Sequence, residues 1–455
     1  MYSPCKDITG PSLPSSALRF LLPSLLGVLI FLTPVPWDGN LTIGIDIITG
    51  WVRDLLGDYG LHLVVALTII TSAMTLIATI LQPAWIASRQ QLNELFNVPL
   101  VWVLLRLAGM TFALIYFFQF GPALLQSDSV GKAVYVDIAV NVVTIYISAC
   151  LLLPLLTDYG LMEFAGILAR PVFRKVFQLP GRAAIDAVAS FVGASAIGLL
   201  VTIGQYDRGN YSGREAAVVA TNFSIVSIPF SLVVATVAGI KPLFIPWYGF
   251  IIIACLLAAF ITPRLPPLSR KDENFRTHAE PERAADTNAG NSLLAQSWSA
   301  ATRRAASAPG PAGFLQAGMR NLAFFLFSVV TAAMALATIA AVLVFHTPIF
   351  EWLGLPFIAL LEVAGLPDAA AAAAALFSGF LDQFMPALAA ANIENQATSF
   401  VLAGLAVCQL IYLSETGVII LRSSLPISLA DLAAIFLLRT AIVLPVLIIG
   451  AHLVT

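Results

Sequence analysis

Asp382, Glu415 and Arg439 each lie inside a long apolar run. An ionised group at the centre of a membrane-spanning helix costs about 2.5–3.5 kcal/mol on insertion scales, so such groups turn to the protein interior, find partners and mark solute or ion paths. Arg439 is the obvious partner for one acid, which leaves one carboxyl over. That spare carboxyl could take a proton or a sodium ion, or meet a cationic part of a solute. The alternative is an ion pair that only locks two helices together. Glu415 has a hydroxyl on either side, Ser414 and Thr416, and Gly417 follows; the glycine is expected to loosen the helix so that backbone carbonyls can join an ion site. Further polar residues fall at helical spacing. Gln409, Tyr412, Glu415 and Thr416 should share one face of a span over 397–421. Thr221, Ser224, Ser227 and Ser231 should share one face of a span over 213–238, with Asn222 beside them and Pro229 breaking the ladder. Hydroxyls of this kind also serve plain helix packing or bond their own backbone.

The energetic argument needs lipid around these runs, and composition supplies it. Hydrophobic residues make up 59% of the 455 and charged ones 11%, with mean hydropathy +0.92; soluble domains run at about 45–50% and about 25%. The net charge of −2 gives no footprint for nucleic acid. Cys5, Cys150, Cys255 and Cys408 form no CxxC, and His62, His278, His346 and His452 have no ligand spacing, so neither disulfide nor metal site is expected. An enzyme is not expected either: there is no P-loop or HExxH, and Ser195 in GASAIG is one residue out of register with a GxSxG nucleophile elbow.

A hydropathy window of about 19 residues gives spans near 17–36, 60–80, 99–120, 134–156, 213–238, 243–263, 317–345, 397–421 and 428–452. Two more apolar segments, 183–204 and 368–391, are broken by Gly193 to Ser195 and by SGFLDQFMP, and read as re-entrant hairpins. Leu161 to Gln178 and Ile349 to Ala364 read as interfacial helices, Asp186 and Arg106 as interfacial or bundle-fixing charges. The expected fold is thus an all-α polytopic membrane protein of about nine transmembrane helices plus two re-entrant hairpins. With the N-terminus inside and the C-terminus outside, most Lys and Arg fall on the cytoplasmic side, leaving Arg53, Lys132 and Lys241 outside.

The same order of segments recurs after a polar stretch. LPG (Leu179 to Gly181) answers to LPD (Leu366 to Asp368), Gly193 to Gly379, and IPFS (Ile228 to Ser231) to IYLS (Ile411 to Ser414), a period of roughly 185 residues. The hairpins then enter from opposite sides, so the halves are inverted repeats of the kind secondary carriers use around a midplane site. The expected divisions are 1–133, N-terminal helices for scaffold or oligomerisation; 134–265, first repeat; 266–313, flexible cytoplasmic linker; and 314–455, second repeat.

The run LPGRAAIDAVASFVGASAIGLLVTIGQYDRGNYSGREAAVVATNFSIVSIPFSLVVA resembles the nucleoside-recognition Gate domain of the YjiH family of bacterial inner-membrane proteins. SGFLDQFMPA and QLIYLSETG resemble that family's C-terminal counterpart. The resemblance covers most of the chain after about Ala133 and implies paired hairpins, broken helices and a transport role. A small polar solute, nucleoside-like or amino-acid-like, is expected between the hairpin tips. Its candidate binding residues are Gly193, Ser195, Asn222, Ser224, Ser227, Asp382, Gln383, Gln409, Tyr412 and Glu415. Asp382, Ser414, Glu415, Thr416 and Arg439 are the candidates for coupling H+ or Na+; no other cofactor is expected. Expected partners are the solute, membrane lipid and further copies of this chain. A carrier of amino acids or dipeptides, or a non-transporting membrane scaffold, is the alternative.

Overall fold

In lipid every backbone N–H and C=O must be satisfied internally, which leaves helices as the elements this composition can build. The computed structural model describes residues 13–37, 40–192, 195–207, 209–223, 226, 228–275 and 292–455. Among them, six helical segments are long and apolar enough to cross a membrane: Gly44–Leu81, Leu100–Phe118, Ala123–Leu152, Lys241–Arg270, Pro311–His346 and Leu429–Val454. The chain is a helical, multi-pass membrane protein. The first expected span is the helix Leu13–Phe31. It ends earlier than hydropathy suggested, because Pro34–Trp37 and Asn40–Ile43 pair as a small antiparallel hairpin.

Two expected spans are not continuous helices. The first is Gly213–Asn222 followed by Ile228–Val237, with Pro229 in the opening turn of the second piece, where its missing N–H costs nothing. The second is Gln396–Cys408, an unwound stretch, a wide π turn over Leu413–Gly417, and Val418–Arg422. Gln409, Tyr412, Glu415 and Thr416 therefore do not share one helical face. The break precedes Glu415 and lies at Leu410, whose φ of 59° is left-handed, a conformation costing roughly 1–3 kcal/mol for a residue with a side chain. Freed backbone groups find new partners: the Leu413 N–H donates to the Phe380 carbonyl at 2.8 Å and the Ser414 N–H to that of Leu381 at 3.1 Å.

Those acceptors belong to the tip of the second hairpin, whose arms are Ala369–Ser378 and Met385–Ala391. The first hairpin has arms Ala183–Val192 and Ser195–Asp207. Both halves run in one order: long helix, surface helix (Leu161–Val172 or Ile349–Val363), hairpin, broken helix, final helix. The final helices, Phe244–Ile261 and Leu429–Val454, pack on each other. The N-terminal helices pack on the long helix of the second half; a Cβ on Gly109 would stand 2.3 Å from the Thr331 carbonyl oxygen, so only glycine permits this approach.

The stretch expected to be a flexible linker is partly built. Leu293–Ala306 is a helix capped by Ser292, and Ala301 and Ala305, one turn apart, are fully buried with Phe20 of the first helix. The small alanine stripe allows close packing at little entropic cost. Before it, Lys271 pairs with Asp431 at 2.7 Å and Arg214 with Glu273 at 2.9 Å. The Asn274 backbone amide also holds the Asp272 carboxyl below the usual carboxylate range.

Candidate functional site

The second hairpin turns on Asp382. Its Oδ1 accepts from the Phe384 N–H at 2.9 Å, capping the returning arm, and its side chain is almost wholly buried. Behind the tip, Gln409 Nε2 donates to the Leu376 carbonyl at 2.8 Å and to Thr440 Oγ1 at 3.0 Å. A Cβ on Gly379 would lie 2.1 Å from Gln409 Oε1, so the tip closes over this amide only with glycine there.

On the other side of the tip is a cavity of about 270 Å³. Asp382, Gln383, Phe384 and Ser414 line it from the hairpin and the broken helix, Trp102 and Arg106 from the N-terminal helices, with Tyr146 and Glu94 completing the wall. Arg106 is 1% exposed; its Nη1 donates to Thr75 Oγ1 at 2.7 Å and to the Leu95 carbonyl at 2.9 Å. Its Nε–H is buried without a partner, and so is the Oε1 acceptor of Gln383. Leaving a buried donor or acceptor unpaired costs about 1–3 kcal/mol. The cavity is thus lined by two carboxyls, Asp382 and Glu94, together with aromatic rings, and its lining residues include an arginine with an unpaired donor and a glutamine with an unpaired acceptor, a set suited to a small polar molecule. Arg106, expected as an interfacial or bundle-fixing charge, does tie neighbouring elements together through Thr75 and Leu95, and it also lines this cavity. The signal for its place at the cavity is the one that singles out Arg439: an arginine inside an apolar span.

Arg439 itself does not pair with an acid among the described residues. The fully buried guanidinium donates from Nε and Nη2 to the Cys408 carbonyl, at 3.1 and 2.8 Å, and from Nη1 to Asn222 Oδ1 at 2.7 Å and to the Thr221 carbonyl at 3.4 Å. The physical reason is the broken helices: helix ends leave carbonyls without partners and carry partial negative charge, so a cation is neutralised there without a carboxylate. Asn222 is consequently engaged. Its Oδ1 also accepts from Thr262 Oγ1 at 2.5 Å, and its Nδ2 donates to Thr221 Oγ1 at 3.1 Å.

The remaining expected residues divide. Thr416 is buried and donates to the Leu410 carbonyl at 3.0 Å, and Tyr412 is buried beside the break, so both support the unwound backbone. Gly193, Ser224 and Ser227 lie outside the described residues, as do the side chains of Ser195 and Glu415. Asp186, expected at a hairpin mouth, accepts from the Tyr211 hydroxyl at 2.6 Å. Among the described residues no group of three His, Cys, Asp or Glu side chains could hold a metal ion. A second cavity, about 340 Å³, lies away from the hairpin tips, between Gln178 and the segment around Glu273.

The Gate family, described as nucleoside recognition, matches residues 139–241, which hold the first hairpin and the first broken helix. Over 438 residues the chain is 39% identical to the uncharacterized protein BpOF4_10220 of Alkalihalophilus pseudofirmus, covering 96% of this chain and 95% of that protein. The chain belongs to this family of YjiH-type Gate proteins. Among solved structures, CNTnw in an inward-facing substrate-bound state aligns with TM-score 0.38 and 14% identity over 97% of this chain and 98% of that one. A CNTnw variant in an intermediate 1 state gives TM-score 0.39 and 14% identity over 97% and 99%. In this Gate protein the family match stops at residue 241, whereas the cavity draws its hairpin wall from the second half.

Proposed function

We propose that the protein is a secondary carrier that moves a small polar solute of nucleoside type across a bacterial inner membrane, driven by H+ or Na+. The observation that carries the reading is the cavity between the second hairpin tip and the N-terminal helices. One wall, with Asp382, Gln383 and Ser414, belongs to the hairpin half; the other, with Arg106 and Trp102, belongs to the scaffold of residues 1–133. A solute bridging the two walls would stack its ring on the aromatic side chains, offer an acceptor to Arg106 Nε and a donor to Gln383 Oε1, and leave the Asp382 carboxyl free to exchange a proton or sodium ion. Alternating access then amounts to the hairpin units, 134–265 and 314–455, rocking against the scaffold. The Gate description, nucleoside recognition, supports the solute class. Glu415, one residue beyond Ser414, belongs to the same proposal as a second ion-responsive carboxyl.

A second reading is favoured by one feature. Arg106 and Asp382 set opposite charges on one small cavity, which also suits a free amino acid, carboxylate toward the arginine and ammonium toward the aspartate. Uptake into proteoliposomes of labelled uridine, adenosine, uracil, leucine and serine, with and without pH and Na+ gradients, separates the two. Gradient-driven uptake of a nucleoside or base, abolished in Asp382→Asn, is expected. Uptake of amino acids alone would replace the nucleoside reading, and no gradient-driven uptake of any of the five would overturn this carrier assignment.

A further inference from the structure

The last helix delivers a cation into a place with the donor set of a cation site. Two half-helices end beside each other: Gly213–Asn222, presenting the Thr221 carbonyl, and Gln396–Cys408, presenting the Cys408 carbonyl. Each end carries about half a negative charge from its macrodipole, and convergent carbonyl ends of broken helices are what secondary carriers use to coordinate a free monovalent cation. Here the space between them holds the Arg439 guanidinium, 0% exposed. Its backbone and amide acceptors are two carbonyls and one neutral amide, with the Cys255 thiol also against it and no carboxylate among the described residues.

We propose that the paired broken helices form a cradle for a monovalent cation, that Arg439 is its resident cation, and that removing the guanidinium turns the cradle into a site for a free one. The inference concerns the cradle and does not rest on the carrier assignment. It places Arg439 as a positioning residue: it holds the breaks of both halves in one body, so that they move together.

The test reads thermal unfolding of the purified full-length protein at constant ionic strength in choline, sodium, potassium or low guanidinium chloride. Arg439→Ala should unfold at lower temperature than wild type in choline, and recover part of that loss, saturably, in one or more of the three other cations. Arg439→Lys keeps the charge, and should respond to the cations no more than wild type does. If the alanine variant does not fold, Arg439→Gln, which drops the charge but keeps amide donors, carries the test and should show the same recovery. An Ala or Gln variant that responds to all three cations as wild type does overturns the proposal, as does a Lys variant that responds as strongly as the Ala or Gln variant. A purely structural arginine gives the loss of stability without the cation-specific recovery.

Discussion

Replacing Asn222 with alanine should destabilise the protein by about 2–4 kcal/mol, and the reason lies in what is left behind. The side chain accepts from the Arg439 Nη1 at 2.7 Å, and a hydrogen bond to a charged group contributes about 1.5–3 kcal/mol. After the substitution that nitrogen retains only the Thr221 carbonyl, at 3.4 Å. Loss of the amide's packing in a fully buried site adds on the order of 1 kcal/mol. Nothing further is orphaned: the Thr221 hydroxyl keeps the Ala217 carbonyl at 2.7 Å and Thr262 keeps that of Ala258 at 2.8 Å. Thr262→Val, which removes a hydroxyl that has this second acceptor, should therefore cost less, about 1 kcal/mol. Equilibrium unfolding of Asn222→Ala, Arg439→Gln and the double variant gives the coupling between the two side chains, expected at about 1.5–3 kcal/mol. A coupling near zero, together with weakened solute binding in Asn222→Ala at unchanged stability, would refute the reasoning, because the amide would then face the solute and not the arginine.

Three further outcomes are expected. Gly109→Ala forces a Cβ to within 2.3 Å of the Thr331 carbonyl, so the two helices must part; a destabilisation of about 1–3 kcal/mol should appear as a lower unfolding midpoint, and an unchanged midpoint would contradict the packing. Arg106→Gln should leave the protein folded yet weaken binding of the solute identified by uptake by roughly ten-fold or more, the loss of one charge-assisted bond, and unaltered affinity would move the solute out of this cavity. In intact cells, Glu394→Cys should label from the outside and Asp207→Cys only after permeabilisation; both positions are exposed, and the opposite pattern would invert the topology.

The architecture was legible because its main signals are additive over many residues. Long apolar runs marked the spans, polar breaks marked the hairpins, and matched motifs such as LPG at 179–181 with LPD at 366–368 marked the recurring order of elements. The site was less legible because its partners are set by backbone breaks and long-range packing. Periodicity treats 397–421 as one helix, so it put Gln409 and Glu415 on one face; the left-handed Leu410 and the hairpin carbonyls that receive Leu413 and Ser414 are tertiary facts. Charge counting looked for an acid to meet Arg439 and could not anticipate that two helix ends would serve instead. Arg106 was visible but was assigned by position alone, and the cavity it lines forms only when the second hairpin meets the helix Leu100–Phe118. The helix Leu293–Ala306 was hidden by low hydropathy, its alanines being informative only once Phe20 lies against them.

The bond between Asn222 and Arg439 also spans time. The two residues are 217 positions apart, so at about 5–20 residues per second the ribosome delivers the arginine roughly 10–40 s after the asparagine. Through that interval the Asn222 amide and the Thr221 carbonyl are made without the cation they accept from in the folded protein. The contact between the two halves is therefore completed by the final helix: only when Leu429–Val454 docks does one guanidinium reach the Thr221 and Cys408 carbonyls together.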